Sequence, residues 1–280
     1  MMISLADDLN GLIKNSGVAE VGLAAHRLGR GEEIFINPDM SFHPASTMKI
    51  CVMVEVFHQS REGLFSLNRS IPIKNEFISI ADGSSYSLSL NDDSESELYQ
   101  SIGQRMTVRE LVRRMITVSS NLATNILIEL VTADRTTKFM RELGAEGLII
   151  RRGVEDNKAF KLGLNNAVTA RGFKQILVKL AKKEVLSSED SEEMIDILAG
   201  QQFNEMIPDR LPDRVRTAHK TGWTGEYFHD VGIIYPPDTG EFVLVILTRG
   251  FQKETDAHPF IASLAKTIYS HWTDQISIRK

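Results

Sequence analysis

The sequence predicts an α+β fold: a five-stranded antiparallel sheet flanked by N- and C-terminal helices, with an all-helical lobe set into it. Two strand-like runs lie near the N-terminus and three near the C-terminus, whereas the middle of the chain repeats its apolar residues at helical spacing. The 280 residues are 42% hydrophobic and 25% charged, enough apolar material for one composite core or two.

The elements follow in chain order. Leu5, Leu9, Leu12 and Ile13 recur with a helical period over residues 4–16, and Gly17 closes that helix. Residues 18–28 and 32–36 are apolar runs joined by Gly29-Arg30-Gly31, a hairpin pattern. After the turn-like Asn37-Pro38-Asp39, Pro44 opens a helix to about His58, because its fixed φ suits a first turn. Residues 60–106 are less regular, and the acidic stretch Asn91 to Glu97 reads as a solvated loop. Its spacing fits no calcium loop. Thr107 and Glu110 make a capping-box pattern before Leu111, Val112, Met115 and Ile116. Val118-Ser119-Ser120-Asn121 breaks the pattern, Leu122 to Val131 resumes it, and Asp134 to Leu143 gives a further helix ended by Gly144. Residues 145–167 read as a loop, and helices follow at about 168–183 and 188–200. Beyond Pro208 and Pro212 the chemistry turns to strands at 214–221, 228–235 and 241–248, with a turn at Pro236-Pro237-Asp238-Thr239-Gly240. Ala257 to Trp272 closes the chain as a helix. This order assigns 1–58 and 205–280 to a sheet lobe and 59–204 to a helical lobe, with the cleft between them as the expected ligand site.

Composition excludes several classes. A net charge of −5 argues against a nucleic-acid or anionic-membrane partner. No run of eighteen apolar residues exists, so no membrane span is expected. Cys51 is the single cysteine, which rules out an intrachain disulfide or a thiolate metal cluster, and it reads as a small buried hydrophobe. The first residues carry no basic n-region and no apolar h-region, so the expected location is cytoplasmic unless an export signal was removed. No H-E-x-x-H, P-loop or G-x-G-x-x-G occurs, and neither a metal nor a cofactor is implied.

Three short motifs carry chemistry. Ser46-x-x-Lys49 places a hydroxyl and an amine three apart, on one face of a helix. A buried lysine loses charge readily and can take the proton of a serine nucleophile. Read alone, this stretch favours Ser46 as an N-cap with Lys49 on a solvated face, and the same spacing recurs at Ser263/Lys266 and Ser277/Lys280. Ser119-Ser120-Asn121 lies in a tight break between helices, although S-x-N also occurs at Ser66/Asn68 and Ser89/Asn91. Lys220-Thr221-Gly222 ends a strand and occurs once. A Ser-His-Asp hydrolase built on His219, His229 and Asp230 is the nearest rival, but no G-x-S-x-G elbow is present, and His219 would face away from Lys220 across its strand.

All three motifs, in this order and these settings, resemble the S-x-x-K, S-D-N and K-T-G set of the class A β-lactamases and penicillin-binding proteins. The resemblance covers nearly the whole chain: Met115 to Asn125, the helix ending at Leu143-Gly144, and Ala167-Val168-Thr169-Ala170-Arg171 all read like class A segments. It implies a β-lactamase/transpeptidase-like fold with Ser46 as nucleophile, Lys49 as its base or the orienter of that base, and Ser119 as proton donor to a leaving nitrogen. It implies that Lys220 and Thr221 hold a substrate carboxylate and that Asn121 holds an amide carbonyl. The backbone N–H groups of Ser46 and Trp223, the residue after Gly222, would form an oxyanion hole. Arg249 would add charge to the carboxylate pocket or remain solvated. Two departures stand out. Ser120 replaces the usual aspartate, which loosens support of that loop. The family's E-x-x-L-N is absent, since Lys161 stands three before Leu164-Asn165. Glu155 is the only glutamate in 148–183. It falls near the family position when counted from Leu143-Gly144, but the loop is short when counted back from Thr169. Glu155 is therefore the candidate deacylating base, or else a partner of Arg151 or Arg152 that pins the loop. The expected activity is hydrolysis of a β-lactam amide through a Ser46 acyl-enzyme. The alternatives are a DD-peptidase or other acyl hydrolase, and a β-lactam or peptidoglycan sensor that acylates without efficient turnover. The expected partner is a small β-lactam or acyl-D-Ala-D-Ala-like molecule, with no nucleic acid and with the oligomeric state open.

Overall fold

In the computed structural model, which describes residues 5–237 and 239–277, the apolar run Phe242–Arg249 (β9) is the middle strand of the main sheet. Before it come Glu20–Arg27 (β1), Glu32–Ile36 (β2), Arg216–Thr224 (β7) and Tyr227–Tyr235 (β8). The sheet order is β2-β1-β9-β8-β7, and every neighbouring pair is antiparallel. Gly29 and Gly31, both with positive φ, turn the β1–β2 hairpin.

Because side chains alternate across a strand, β9 serves two cores at once. Phe242, Leu244 and Ile246 pack with the terminal helices Leu5–Ser16 (α1) and Glu254–Ser277 (α10), through Leu9, Ile261, Leu264 and Ile268. Val243, Val245 and Leu247 join the other cluster, which continues through Lys49–Arg61 (α2) into the middle of the chain. Helix α2 is buried on nearly all sides, the signature of an interior helix rather than a surface one.

The middle of the chain holds Glu97–Gln100 (α3), Val108–Thr117 (α4), Asn121–Val131 (α5), Ala133–Glu142 (α6), Asn157–Lys161 (α7), Ala170–Ala181 (α8) and Ser188–Ala199 (α9). Two short strand pairs also lie there: Ser70–Pro72 (β3) with Arg105–Thr107 (β6), and Phe77–Ile78 (β4) with Ser85–Tyr86 (β5). Thr107 caps α4 through the N–H of Glu110, but the reciprocal half of the box is missing because Glu110 turns to Arg114 instead.

Four expectations need correction. Pro44 does not begin an α-helix. It precedes a 3₁₀ turn, Ala45–Met48, and the α-helix starts at Lys49. Strand β7 runs on to Thr224, so Lys220-Thr221-Gly222 lies inside it, not at its end. The acidic stretch is no free loop: Glu95 is buried in an ion pair with Arg114, and Asp93 accepts hydrogen bonds from the N-terminus of α5. Residues 145–167 are not all loop, because Asp156 caps the short helix α7. The expected turn includes Asp238, and one S-x-x-K repeat ends at Lys280; both positions lie outside the described residues. Among the described residues no helix is long and apolar enough to cross a membrane.

Candidate active site

The site is built where the 3₁₀ turn meets the edge strand β7. Ala45 holds φ at 46°, a costly conformation for a residue with a side chain. The next residue, the half-buried Ser46, lines an open cleft. Gly222 makes that approach possible, because a Cβ there would lie 2.7 Å from the Ser46 nitrogen and 2.8 Å from the Thr47 nitrogen. In this first turn Ala45 N–H is taken by His43 Nδ1 and Thr47 N–H by the Pro44 carbonyl. The Ser46 N–H between them is one of the donors that a helix start leaves over.

Lys49 is fully buried, and its Nζ donates to the Ser119 carbonyl (2.7 Å), to Asn121 Oδ1 (2.8 Å) and to Ser119 Oγ (3.1 Å). Burial pushes its amine down to about 7, opposed by the carboxylates of Asp93 and Glu155. Lys220 is equally buried, and its Nζ reaches the same Ser119 Oγ at 3.1 Å and the Thr221 carbonyl at 2.9 Å. Burial and the charge of Lys49 hold Lys220 well below its usual value. Two ammonium groups sharing one hydroxyl in a dry site repel, so neutral lysine is favoured there. Thr221 Oγ1 is buried without a hydrogen-bond partner among the described residues, an unfilled polar group next to Lys220 in the strand.

The break between α4 and α5 places Ser119 at φ 57°. Its cap is Ser120, whose Oγ accepts from the N–H of Ala123, so Ser119 is free of a capping role. Glu155 also has a positive φ, 59°. Its Oε1 accepts from Asn121 Nδ2 at 2.8 Å and its Oε2 from Ser89 N–H at 3.2 Å. Burial raises its pKa; the Ser89 and Asn121 hydrogen bonds oppose that, and Asp93 and Asp92 add to it. Neither arginine pairs with Glu155. The Arg152 guanidinium instead binds the carbonyls of Leu164 and Gly153 and Asn165 Oδ1. Asn125 clamps both backbone groups of Val154, and Asp156 accepts from Ser79 and Ile80, so the segment is rigid without Glu155.

A cleft of about 530 Å³ brings Ser46, Asn121, Glu155 and Trp223 onto one lining. Lys49, Ser119, Lys220, Thr221 and Gly222 are buried and do not reach that lining. Other candidates lie elsewhere. Arg249 pairs with Glu20. His219 is buried against Asp230 and Asn204 with no serine among its partners, and His229 donates from Nε2 to the His43 carbonyl. Ser263 accepts from Arg210 on the outer helix α10. Asn165 binds Arg152, whereas its neighbour Asn166 lines the cleft. His43 and Phe160 also line it, their rings edge to face at 6.0 Å. Sequence reasoning missed these three. The histidine sat in an apparent turn, and the other two sat in an apparent loop.

A family model described as the Beta-lactamase enzyme family matches residues 4–272. Beta-lactamase CTX-M-97 of Escherichia coli is 26% identical over 271 residues, covering 95% of this chain and 88% of that protein. The structure of an ancestral class A beta-lactamase superposes with a TM-score of 0.82 at 25% identity, covering 96% of this chain and all of the other (100%). A point variant of PBP-A, solved as an acyl-enzyme complex with penicillin-G, gives a TM-score of 0.81 at 21% identity, with 96% of each chain covered.

Proposed function

The chain belongs to the beta-lactamase enzyme family, with the class A fold, and on that premise we propose that it is a serine hydrolase that opens the β-lactam amide through a Ser46 acyl-enzyme, which water then hydrolyses. The observation that carries this reading is the setting of Lys49, a fully buried amine hydrogen-bonded to Ser119 and Asn121 and one turn from Ser46, where burial lowers its pKa. Near neutral pH a large fraction of such an amine is free base.

Neutral Lys49 takes the proton of Ser46 Oγ, and the oxygen attacks the lactam carbonyl carbon. The negative oxygen that forms faces the N–H groups of Ser46 and Trp223. As the C–N bond breaks, Ser119 passes a proton to the nitrogen and recovers one from the lysine pair. Lys220 and the unfilled Thr221 hydroxyl, buried behind the cleft lining, are the groups a substrate carboxylate would bind once it reaches past that lining, and Asn121 receives the side-chain amide. Glu155 then takes a proton from a water that attacks the ester and returns it, relayed by neutral Lys49, to Ser46 Oγ as that oxygen leaves, so that both groups regain their starting states. The penicillin-G acyl-enzyme of a structural neighbour supports the fit of such an adduct to this fold.

One observation favours acylation without efficient turnover. Both Glu155 oxygens already accept hydrogen bonds, from Asn121 and Ser89. A deacylating water must share Glu155 with those donors.

Peptide mapping of protein exposed to penicillin-G tests the nucleophile. The adduct is expected on Ser46 and to be absent from Ser46→Ala. An adduct on Ser119 or Ser263, or none in the parent, would overturn the reading.

A further inference from the structure

The acidic stretch ahead of α3 reaches into the site. Asp93 Oδ1 accepts from Asn121 N–H (3.0 Å) and Glu95 N–H (3.1 Å), while Oδ2 accepts from Leu122 N–H (2.9 Å) and Tyr99 O–H (3.1 Å). A helix start leaves its first N–H groups without intrahelical partners. At α5, Asp93 fills the first two, Ser120 Oγ fills that of Ala123, and the Ser120 carbonyl fills that of Thr124. The carboxylate also sits at the positive end of the helix dipole.

The neighbours of Asp93 hold the same break. Ser94 Oγ donates to the carbonyls of Val118 (2.8 Å) and Ser119 (3.2 Å), and the Asp92 carbonyl accepts from Asn121 Nδ2 (3.2 Å). Asn121 is thereby fixed through both its backbone and its side chain. Its Oδ1 faces Lys49 and its Nδ2 faces Glu155, so it joins the two groups assigned proton transfer in acylation and deacylation.

We propose that Asp93 is a positioning residue: from outside the three motifs it supplies the carboxylate that locks the Ser119–Asn121 break, and through Asn121 it sets the distance of Lys49 and Glu155 from Ser46. Ser120 has only a short hydroxyl, already spent on Ala123, and cannot hold the two preceding N–H groups. Asp93 also acts through charge. Lys49 is faced by Asp93, Glu155 and Lys220; the two carboxylates favour its charged form, while burial favours the neutral one. Removing the Asp93 charge moves Lys49 further toward neutrality.

The kinetic arm of the test rests on the serine-hydrolase reading, and the exchange arm does not. Asp93→Asn is compared with Asp190→Asn, which weakens the cap of α9 far from the site. In Asp93→Asn, amide exchange at Asn121 and Leu122 is expected to quicken. Acylation of Ser46 by penicillin-G should slow about 10- to 100-fold, the equivalent of one lost charge-assisted bond. The acidic limb of the acylation profile should shift to lower pH, which loss of rigidity alone does not do. Asp190→Asn should leave acylation and its pH profile unchanged. Unchanged exchange at Asn121 and Leu122 would overturn the proposal, as would an acylation loss no larger than that of Asp190→Asn or an unshifted limb. Failure of the parent to acylate would count against the serine-hydrolase reading, and exchange would then decide the Asp93 contact by itself.

Discussion

Two buried lysines reach one serine hydroxyl, each at 3.1 Å. In the proposed reaction, a carboxylate entering beside Thr221 would restore the charge of Lys220 and by repulsion keep Lys49 neutral as the base. Lys220→Ala should therefore cost a carboxylate-bearing substrate about 10- to 150-fold in kcat/KM, the value of a charge-assisted bond of about 1.5–3 kcal/mol, and cost its methyl ester far less. Equal losses for acid and ester would remove that role. The lysines and serines were legible in the sequence because each chemistry needs a residue type at a fixed spacing. Glu155 was legible only as a lone glutamate in a shortened loop. Counting along the chain does not say that Asn121 and Ser89, remote in sequence, hold its two oxygens.

At the scale of elements, the 3₁₀ turn and β7 act as one unit, joined at Gly222. A methyl group there has no room against the backbone nitrogens of Ser46 and Thr47. Gly222→Ala should lower stability by about 1–3 kcal/mol through overpacking. By displacing Ser46 it should also slow acylation by about 10²-fold. Denaturant unfolding and stopped-flow acylation measure the two effects, and parental acylation in a folded Gly222→Ala would contradict the joint. The sheet and long helices were readable because a continuous apolar run, as in β9, or a helical pattern, as in α4, extends over many residues. The 3₁₀ turn, α7 and the brace at 91–97 were not. Each is too short to show a period, and each is fixed by partners far along the chain: Gly222, Asp156 with Ser79, and Asp93 with Asn121.

The whole molecule folds around two cores that share one sheet, and a buried histidine of that sheet holds the chain just ahead of Ser46. His229, on β8, is fully buried and held as the neutral ring: Nε2 donates to the His43 carbonyl and Nδ1 accepts from Thr248 N–H. Burial pushes it from 6.5 to about 4. The unfolded chain thus binds more protons between those values, so this contribution is complete above about 6.5 and is lost as pH falls toward 4. Its slope is about 1.4 kcal/mol per pH unit in that window. Urea unfolding at about pH 7 and about pH 5 should show the parent losing stability more steeply than His229→Gln, and equal slopes would contradict this assignment.

If water resolves a Ser46 acyl-enzyme with help from Glu155, the lifetime of the adduct depends on that carboxylate. Intact-mass spectrometry of the parent and Glu155→Gln, followed over time after mixing with penicillin-G, reads that lifetime. The parent should show a transient adduct and return to its free mass as the penicillin is consumed. Glu155→Gln should acylate as fast and then retain the adduct about 10²- to 10⁴-fold longer, the usual loss on removing a general base. A variant that sheds its adduct as quickly as the parent, or a parent that forms none, would contradict the account.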